Sequence, residues 1–320
     1  MNLPGFRTAP VHLAGILPLA PAEFVRSPEA LGKVYSPGEA RAYTRWLATH
    51  HYENFHVVSF LLPKPLRQDF FNVYAYCRWA DDLGDEIGDR AESLRLLAWW
   101  GGSLDEMYAG RATHPVFVAL RDTAARHSIP KQPFADLIRA FVADQTVTRY
   151  QTWEDVLAYC RFSANPVGRL VLYLCGYADA ERQRLSDATC TALQLANFWQ
   201  DVTVDLEKDR VYIPLEVLER HGYALEDLAA RRFNPAFRNA MREVVERARA
   251  LFLEGLPLVG MVGRRLALDL DLFSRGGLRV LDKIEGLDYN VLALRPAISK
   301  GERLTLLLGA LTRVAFSRAA

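Results

Sequence analysis

The chain has 320 residues, half of them hydrophobic, which is enough to bury a large core and too apolar for a disordered tail protein. Lys plus Arg total 39 and Asp plus Glu 38, so a net charge of +1 offers no electrostatic footprint for a polyanion and argues against nucleic-acid binding. The four cysteines, Cys77, Cys160, Cys175 and Cys190, form no C-x-x-C pair and sit in apolar stretches where a reduced thiol acts as a small hydrophobe, which fits a cytoplasmic location.

In chain order, residues 1–35 read as a loosely ordered N-terminal arm, whose apolar stretch is interrupted by Pro10, His12, Pro18 and Pro21 and so does not make a secretory core. Ser36-Pro37-Gly38-Glu39 supplies an N-cap, a proline at the first helical position and a capping-box glutamate, opening a helix toward His51. Past Pro63 and Pro65, Leu66, Phe70, Val73, Tyr74, Cys77 and Asp81 recur at three- and four-residue steps and predict a helix from about Leu66 to Glu86. Phe134, Leu137, Ile138 and Phe141 mark another. Trp153, Val156, Leu157 and Cys160 begin a further one, disturbed at Asn165-Pro166, where a plain break and a kink beside a pocket are equally good readings. Ser186 is a candidate cap for the next helix, predicted to run to about Asp205.

Leu215 to His221, Phe237 to Leu253 and Leu304 to Phe316 are also helical in period, while no alternating strand pattern, internal repeat or linker is evident. The expectation is one all-α domain over residues 1–320. No apolar run approaches the roughly 20 residues that span a bilayer. The last segment, with Arg303, Arg313 and Arg318 around its leucines, could lie on a membrane surface, although a solvated or core-packed final helix is the simpler reading.

Two acidic clusters carry the chemistry. Asp81 and Asp85, four apart on a helix, project from one face a turn apart, and the same stripe continues back through Arg78 and Tyr74. Like charges at that spacing repel, so the arrangement costs stability unless a cation is shared. The second cluster repeats the design: Gln194, Asn197, Asp201 and Asp205 step along one face, followed by Lys208 and Arg210 and then by Val211-Tyr212-Ile213-Pro214. Mg²⁺ takes oxygen ligands and commonly shares substrate phosphates, so two such strips suit a diphosphate held through several Mg²⁺ ions, whose charge assists C–O cleavage. The cation left behind is stabilised by aromatic faces, and Phe55, Phe60, Phe70, Phe71, Tyr74, Tyr76 and Trp79 cluster near the first motif. A single D-x-x-x-D is ordinarily a solvated acidic face, and each of these aromatics is individually a core residue first. Phe70 and Cys77 read as packing.

On these residues the chain resembles the squalene and phytoene synthase family. Tyr74-Ala75-Tyr76-Cys77-Arg78 with Asp81-Asp82 and Asp85-Glu86 looks like that family's first aspartate-rich motif, and Gln194 through Asp205 with Arg210-Val211-Tyr212-Ile213-Pro214 looks like its second. Tyr150, Tyr159-Cys160 and Val167-Gly168 match the segment between. The resemblance implies an isoprenoid-synthase helical fold with a central cavity between two Asp-bearing helices. It also implies Mg²⁺ on Asp81, Asp85, Asn197, Asp201 and Asp205, diphosphate contacts from Arg78, Gln194 and Asn197 with Lys208 and Arg210 nearby, and a pocket lined by Phe55 and Tyr159.

Departures point within the family. Trp199-Gln200 stands where an Arg commonly precedes the first Asp of the second motif, Asn54 replaces a small hydroxylated residue, and Ser274-Arg275-Gly276-Gly277 lacks a late aromatic. With Glu53-Asn54-Phe55 and Ser163 through Arg169, these features resemble the bacterial hydroxysqualene synthase branch of hopanoid synthesis. That branch implies ionisation of presqualene diphosphate and capture by water, a lyase reaction with no NADPH. Glu53 and Asn54, polar residues in an otherwise aromatic stretch, are candidates for positioning the water. The alternatives are a transferase condensing two prenyl diphosphates and a non-catalytic helical scaffold; the scaffold would have no reason to keep mutually repelling acids. The implied substrate is an isoprenoid diphosphate, met by a protein peripheral to the inner membrane surface.

Overall fold

A computed structural model describes residues 18–50 and 64–316 of the chain, with side chains through 314. The residues cluster into two compact units, Met1–Gln145 and Thr146–Ala320, each taken by itself below. Among the described residues there is no strand; an isolated parallel bridge pairs Arg149 with Val211. The all-α expectation holds.

The first unit contains α1 (Pro21–Phe24), α2 (Pro28–Gly32), α3 (Pro37–His50), α4 (Arg67–Asp85), α5 (Arg90–Tyr108), α6 (Pro115–Arg126) and α7 (Gln132–Asp144). The capping box read from Ser36 and Glu39 forms: the Glu39 amide donates to Ser36 Oγ at 3.3 Å and the Ser36 amide to Glu39 Oε2 at 2.8 Å. The loose arm expected over 1–35 is corrected from residue 18 onward. Phe24 is fully buried and meets Trp79 edge-on at 5.2 Å, a contact between distant segments that local reading does not reveal. α4 is the central helix, packed against α3, α5, α6 and α7.

One face of α4 is held by polar contacts. Asn72 accepts from Thr44 Oγ1 at 2.6 Å and donates to the Ala119 carbonyl at 3.2 Å and to Thr123 at 3.0 Å, and Asp69 accepts from Thr123 at 2.8 Å and from Arg126 at 2.7 Å. The buried Asp69, Asn72 and Thr123 are thereby satisfied and, with Arg126, line a cavity of about 250 Å³ beside Arg41 and Gln68. Farther along the helix the same face turns aromatic, with Trp79 stacked on Trp100 at 4.9 Å and Tyr76 edge-on to Phe134 at 4.8 Å.

The second unit contains α8 (Trp153–Ser163), α9 (Asn165–Leu174), α10 (Ala180–Gln200), α11 (Val202–Glu207), α12 (Leu215–Arg220), α13 (Leu225–Ala229), α14 (Pro235–Gly255), α15 (Arg264–Gly286) and α16 (Lys300–Phe316). α10 packs on α8, α9, α14 and α15. It starts at Ala180, capped by Asp179 on the Arg182 amide at 3.0 Å, so Ser186 is not its cap. Ser186 is instead buried against α9: a Cβ on Gly168 would lie 2.4 Å from Ser186 Oγ and 2.5 Å from Cys190 Sγ. The break at Asn165 is fixed by Thr191, whose hydroxyl donates to Asn165 Oδ1 at 2.8 Å. The chain thereby turns at Ala164 and lays α9 on α10 with only a glycine between them. A second close approach sits at the end of α14, where a Cβ on Gly255 would be 2.1 Å from Thr189 Oγ1.

Candidate active site

On α4, the first motif is arranged around Arg78. Its guanidinium reaches Asp81 at 3.3 Å and Asp82 at 2.6 Å, one partner three residues on and the other four, as helical spacing allows. Asp82 is the acid that spacing alone passed over. It is only 4 % exposed, and among the described residues no donor is aligned on its Oδ1. Burial pushes its carboxyl up to about 7, opposed by Arg78 and reinforced by Asp81 and Glu86. Asp81 is half-buried and Asp85 exposed, while Tyr74 lies half-buried one turn before Arg78. Phe70, Tyr76 and Trp79 are core residues; Tyr76 donates to the Phe134 carbonyl at 2.8 Å and Trp79 Nε1 to Tyr43 Oη at 3.1 Å. The core reading of these three aromatics therefore holds.

The second motif is not one uninterrupted helix to Asp205, as expected, but a helix and a short continuation. α10 ends at Gln200, Asp201 takes φ −105° and ψ 16°, and α11 follows. The 2.9 Å bonds from the Asp201 amide to the Asn197 carbonyl and from the Asp205 amide to the Asp201 carbonyl nevertheless carry the one-turn spacing across the junction. Gln194, Asn197, Asp201 and Asp205 thus keep the succession their spacing implied. Gln194 is half-buried and Asn197 exposed.

After α11 the chain reverses through Asp209, a non-glycine residue at φ 54°. Arg149 holds this turn, donating to the Asp209 carbonyl and, at 2.5 Å, to its carboxylate. The reversal brings the Lys208 and Arg210 amides onto the Asp205 carbonyl at 3.0 and 2.9 Å, and carries Val211 onto the Thr148 carbonyl at 2.9 Å. Asp205 and Arg210 then line one small pocket with Phe198, Leu206 and Tyr212. At about 10 Å³ it admits a water-sized group and no isoprenoid chain. Burial raises the Asp205 carboxyl to about 6, Asp201 adds to the rise, and Arg210 and Lys208 oppose it.

A residue with no local sequence signal, Arg295, completes this side. Arg295, in the segment between α15 and α16, grips Asp201 with Nε at 2.5 Å and Nη2 at 3.2 Å. Beside it, Gln200 donates to the Pro296 carbonyl at 2.5 Å and ties the same segment to the end of α10. Gln200, which stands where the family commonly has an Arg, serves here as a tether. Beyond the acids stands an aromatic group: Phe198 and Tyr212 stack at 3.6 Å with 4° between their planes, and the half-buried Tyr159 lies 6.1 and 5.9 Å from them and 5.5 Å from Tyr150. Gly277, another departure, lies under Phe252, whose ring tip would be 2.1 Å from an added Cβ.

Glu53, Asn54 and Phe55, together with Phe60, lie outside the described residues. Among the described residues no group of three or more His, Cys, Asp and Glu side chains gathers closely enough to hold a metal.

Residues 48–302 match the squalene/phytoene synthase family profile. The chain belongs to the squalene/phytoene synthase family. Within this family it is similar to a phytoene synthase of Thermus thermophilus, 36% identical over 262 residues that make up 80% of this chain and 87% of the relative. It is also similar to a hydroxysqualene synthase of Rhodopseudomonas palustris, 34% identical over 244 residues, 75% of this chain and 82% of the other. Among solved structures, squalene synthase HpnC from Alicyclobacillus acidocaldarius aligns with a TM-score of 0.76 at 47% identity, covering 79% of this chain and 96% of that one. A dehydrosqualene synthase aligns with a TM-score of 0.77 at 22% identity, a likeness of fold. The squalene/phytoene synthase assignment makes the helical architecture that of the isoprenoid synthases.

Proposed function

We propose that the chain is a hydroxysqualene synthase acting on presqualene diphosphate. Its likeness to the Rhodopseudomonas enzyme and to HpnC supports this branch. The observation that carries the chemistry is the second motif, where paired acids, basic residues and an aromatic wall lie on consecutive elements of one unit.

The donor set fits a hard divalent cation. It offers carboxylate and amide oxygens, and burial, then Asp201, raises the Asp205 carboxyl to about 6, a cost that a bound cation would relieve. Asp81 and Asp85 from the first motif, and Asn197, Asp201 and Asp205 from the second, would hold Mg²⁺. When bound, Mg²⁺ neutralises a diphosphate and favours its departure. Arg78 in the first motif, and Lys208 and Arg210 in the second, would supply further charge to phosphate oxygens, and Gln194 a neutral donor.

In the proposed reaction the C–O bond of presqualene diphosphate breaks and its electron pair leaves with diphosphate. The cyclopropylcarbinyl cation rearranges, a water oxygen bonds to the resulting allylic cation, and one proton is released, giving hydroxysqualene. No electrons are exchanged with a cofactor, so NADPH is not required. The accessible ring of Tyr159, backed by Phe198 and Tyr212, offers a π face that stabilises positive charge without reacting with it. Glu53 or Asn54 orients the water, and the Glu53 carboxylate is the better acceptor for its proton. The product then enters hopanoid synthesis, and a substrate this apolar reaches the enzyme at the inner membrane surface.

A second reading, a prenyltransferase condensing two prenyl diphosphates, is favoured by the 36% identity to the Thermus phytoene synthase. Product analysis with Mg²⁺ separates them. Turnover of presqualene diphosphate, with farnesyl diphosphate and geranylgeranyl diphosphate untouched, is the expected result; condensation of either linear substrate supports the transferase. Glu53→Gln and Asn54→Ala should cut hydroxysqualene formation while pyrophosphate binding survives, and an unchanged yield from both removes them as water-positioning residues.

A further inference from the structure

α16 is anchored on one side only. Arg313 binds the buried Asp271 of α15 at 2.7 and 3.1 Å, Glu302 accepts from Arg279 at 2.7 Å and pairs with Lys283 at 3.0 Å, and Ala310 and Val314 are buried. These contacts fix the rotation of the helix about its axis. On the opposite side Leu304, Leu307, Leu308 and Leu311 remain 58, 37, 55 and 45 % exposed. At i, i+3, i+4 and i+7 they form a continuous stripe about 100° wide, the pattern of a helix that buries an apolar face. Four leucines in two turns are more than scattered surface hydrophobes.

Charge identifies what covers the stripe. Glu302 is the one acid between Lys300 and Phe316, and it faces α15 through its bonds to Arg279 and Lys283. The outward side therefore carries exposed Lys300 and Arg303 at its first turn and no acidic side chain. An anionic lipid surface complements these cations while its acyl boundary receives the leucines. No helix among the described residues is long and apolar enough to cross a membrane.

We propose that the Leu304, Leu307, Leu308 and Leu311 stripe of α16, with Lys300 and Arg303, is a docking face that lays this helix on an anionic bilayer. The inference rests on exposure and charge and is independent of the reaction assigned above.

The test is co-sedimentation of the full-length protein, without substrate, with vesicles of phosphatidylcholine alone or mixed with phosphatidylglycerol. Wild type should bind the mixed vesicles. Leu304→Ser with Leu308→Ser should weaken binding about tenfold or more by removing inserted apolar area. Lys300→Glu with Arg303→Glu should weaken it about tenfold on anionic vesicles and hardly at all on neutral ones. Circular dichroism should be unchanged in both variants, since the substituted side chains are exposed, and turnover of detergent-dispersed substrate should survive. Wild type that ignores the mixed vesicles, a leucine variant that binds as wild type, or a leucine variant whose measured change is loss of a dimer would each overturn the proposal.

Discussion

Replacing Arg295 with methionine removes the guanidinium from Asp201 while keeping most of the aliphatic stem. The pair is bidentate, but its side chains are 48 and 27 % exposed, so solvent screens it. Its loss should cost about 1 kcal/mol, near the upper end for exposed pairs and below the several kcal/mol of a buried one. Asp201 and Asp205 would then be left with less positive charge around them, a repulsion already visible in the raised Asp205 carboxyl. At pH 8 without divalent ions the melting midpoint should fall by about 2 °C. If Asp201 helps hold Mg²⁺, a saturating concentration of the ion supplies the missing charge and the loss should shrink. Thermal melts of both proteins with and without Mg²⁺ give the four values needed. The same loss in both buffers would refute the assignment of Asp201 as a metal ligand.

Asp269 is buried on α15 with no hydrogen-bond partner on its Oδ1 among the described residues, and burial raises its carboxyl to about 7. The folded state therefore holds a proton that the unfolded state has released between about pH 4 and pH 7, and stability falls as pH rises through that window. Asp269→Asn should stabilise the protein at pH 8 by on the order of 3 kcal/mol and very little at pH 4.5, as read from urea titrations at the two pH values. An equal gain at both would remove ionisation as the cause. Gly277→Ala would place a methyl 2.1 Å from the buried Phe252 ring and should cost about 2 kcal/mol, with Phe252→Leu in the same chain recovering part of it. Full additivity of the two substitutions in denaturant titrations would contradict that contact.

What could be read from the sequence was what depends on neighbours a few residues apart. The Ser36 capping box, the α4 span, the interruption at Asn165-Pro166 and the four-residue acid spacing are local, and the structure has them. The grip of Arg295 on Asp201 links residues 94 apart, and the tether from Gln200 to Pro296 links residues 96 apart. No periodicity marks either. Asp82 was passed over because a helical stripe selects Asp81 and Asp85, while burial of the residue between them depends on neighbouring helices. Serine is a common helix cap, yet Ser186 lies inside α10, packed against Gly168. Phe24 shows the same limit, since only the assembled core reveals that the segment before Ser36 is held.

Isotope tracing of the oxygen atoms tests the reaction most directly. Turnover of presqualene diphosphate in H₂¹⁸O should place a single heavy oxygen in the hydroxyl group of hydroxysqualene and none in the released diphosphate, because the carbon–oxygen bond breaks and water attacks carbon. Label found in the diphosphate would mean attack at phosphorus, and the carbocation account would fail.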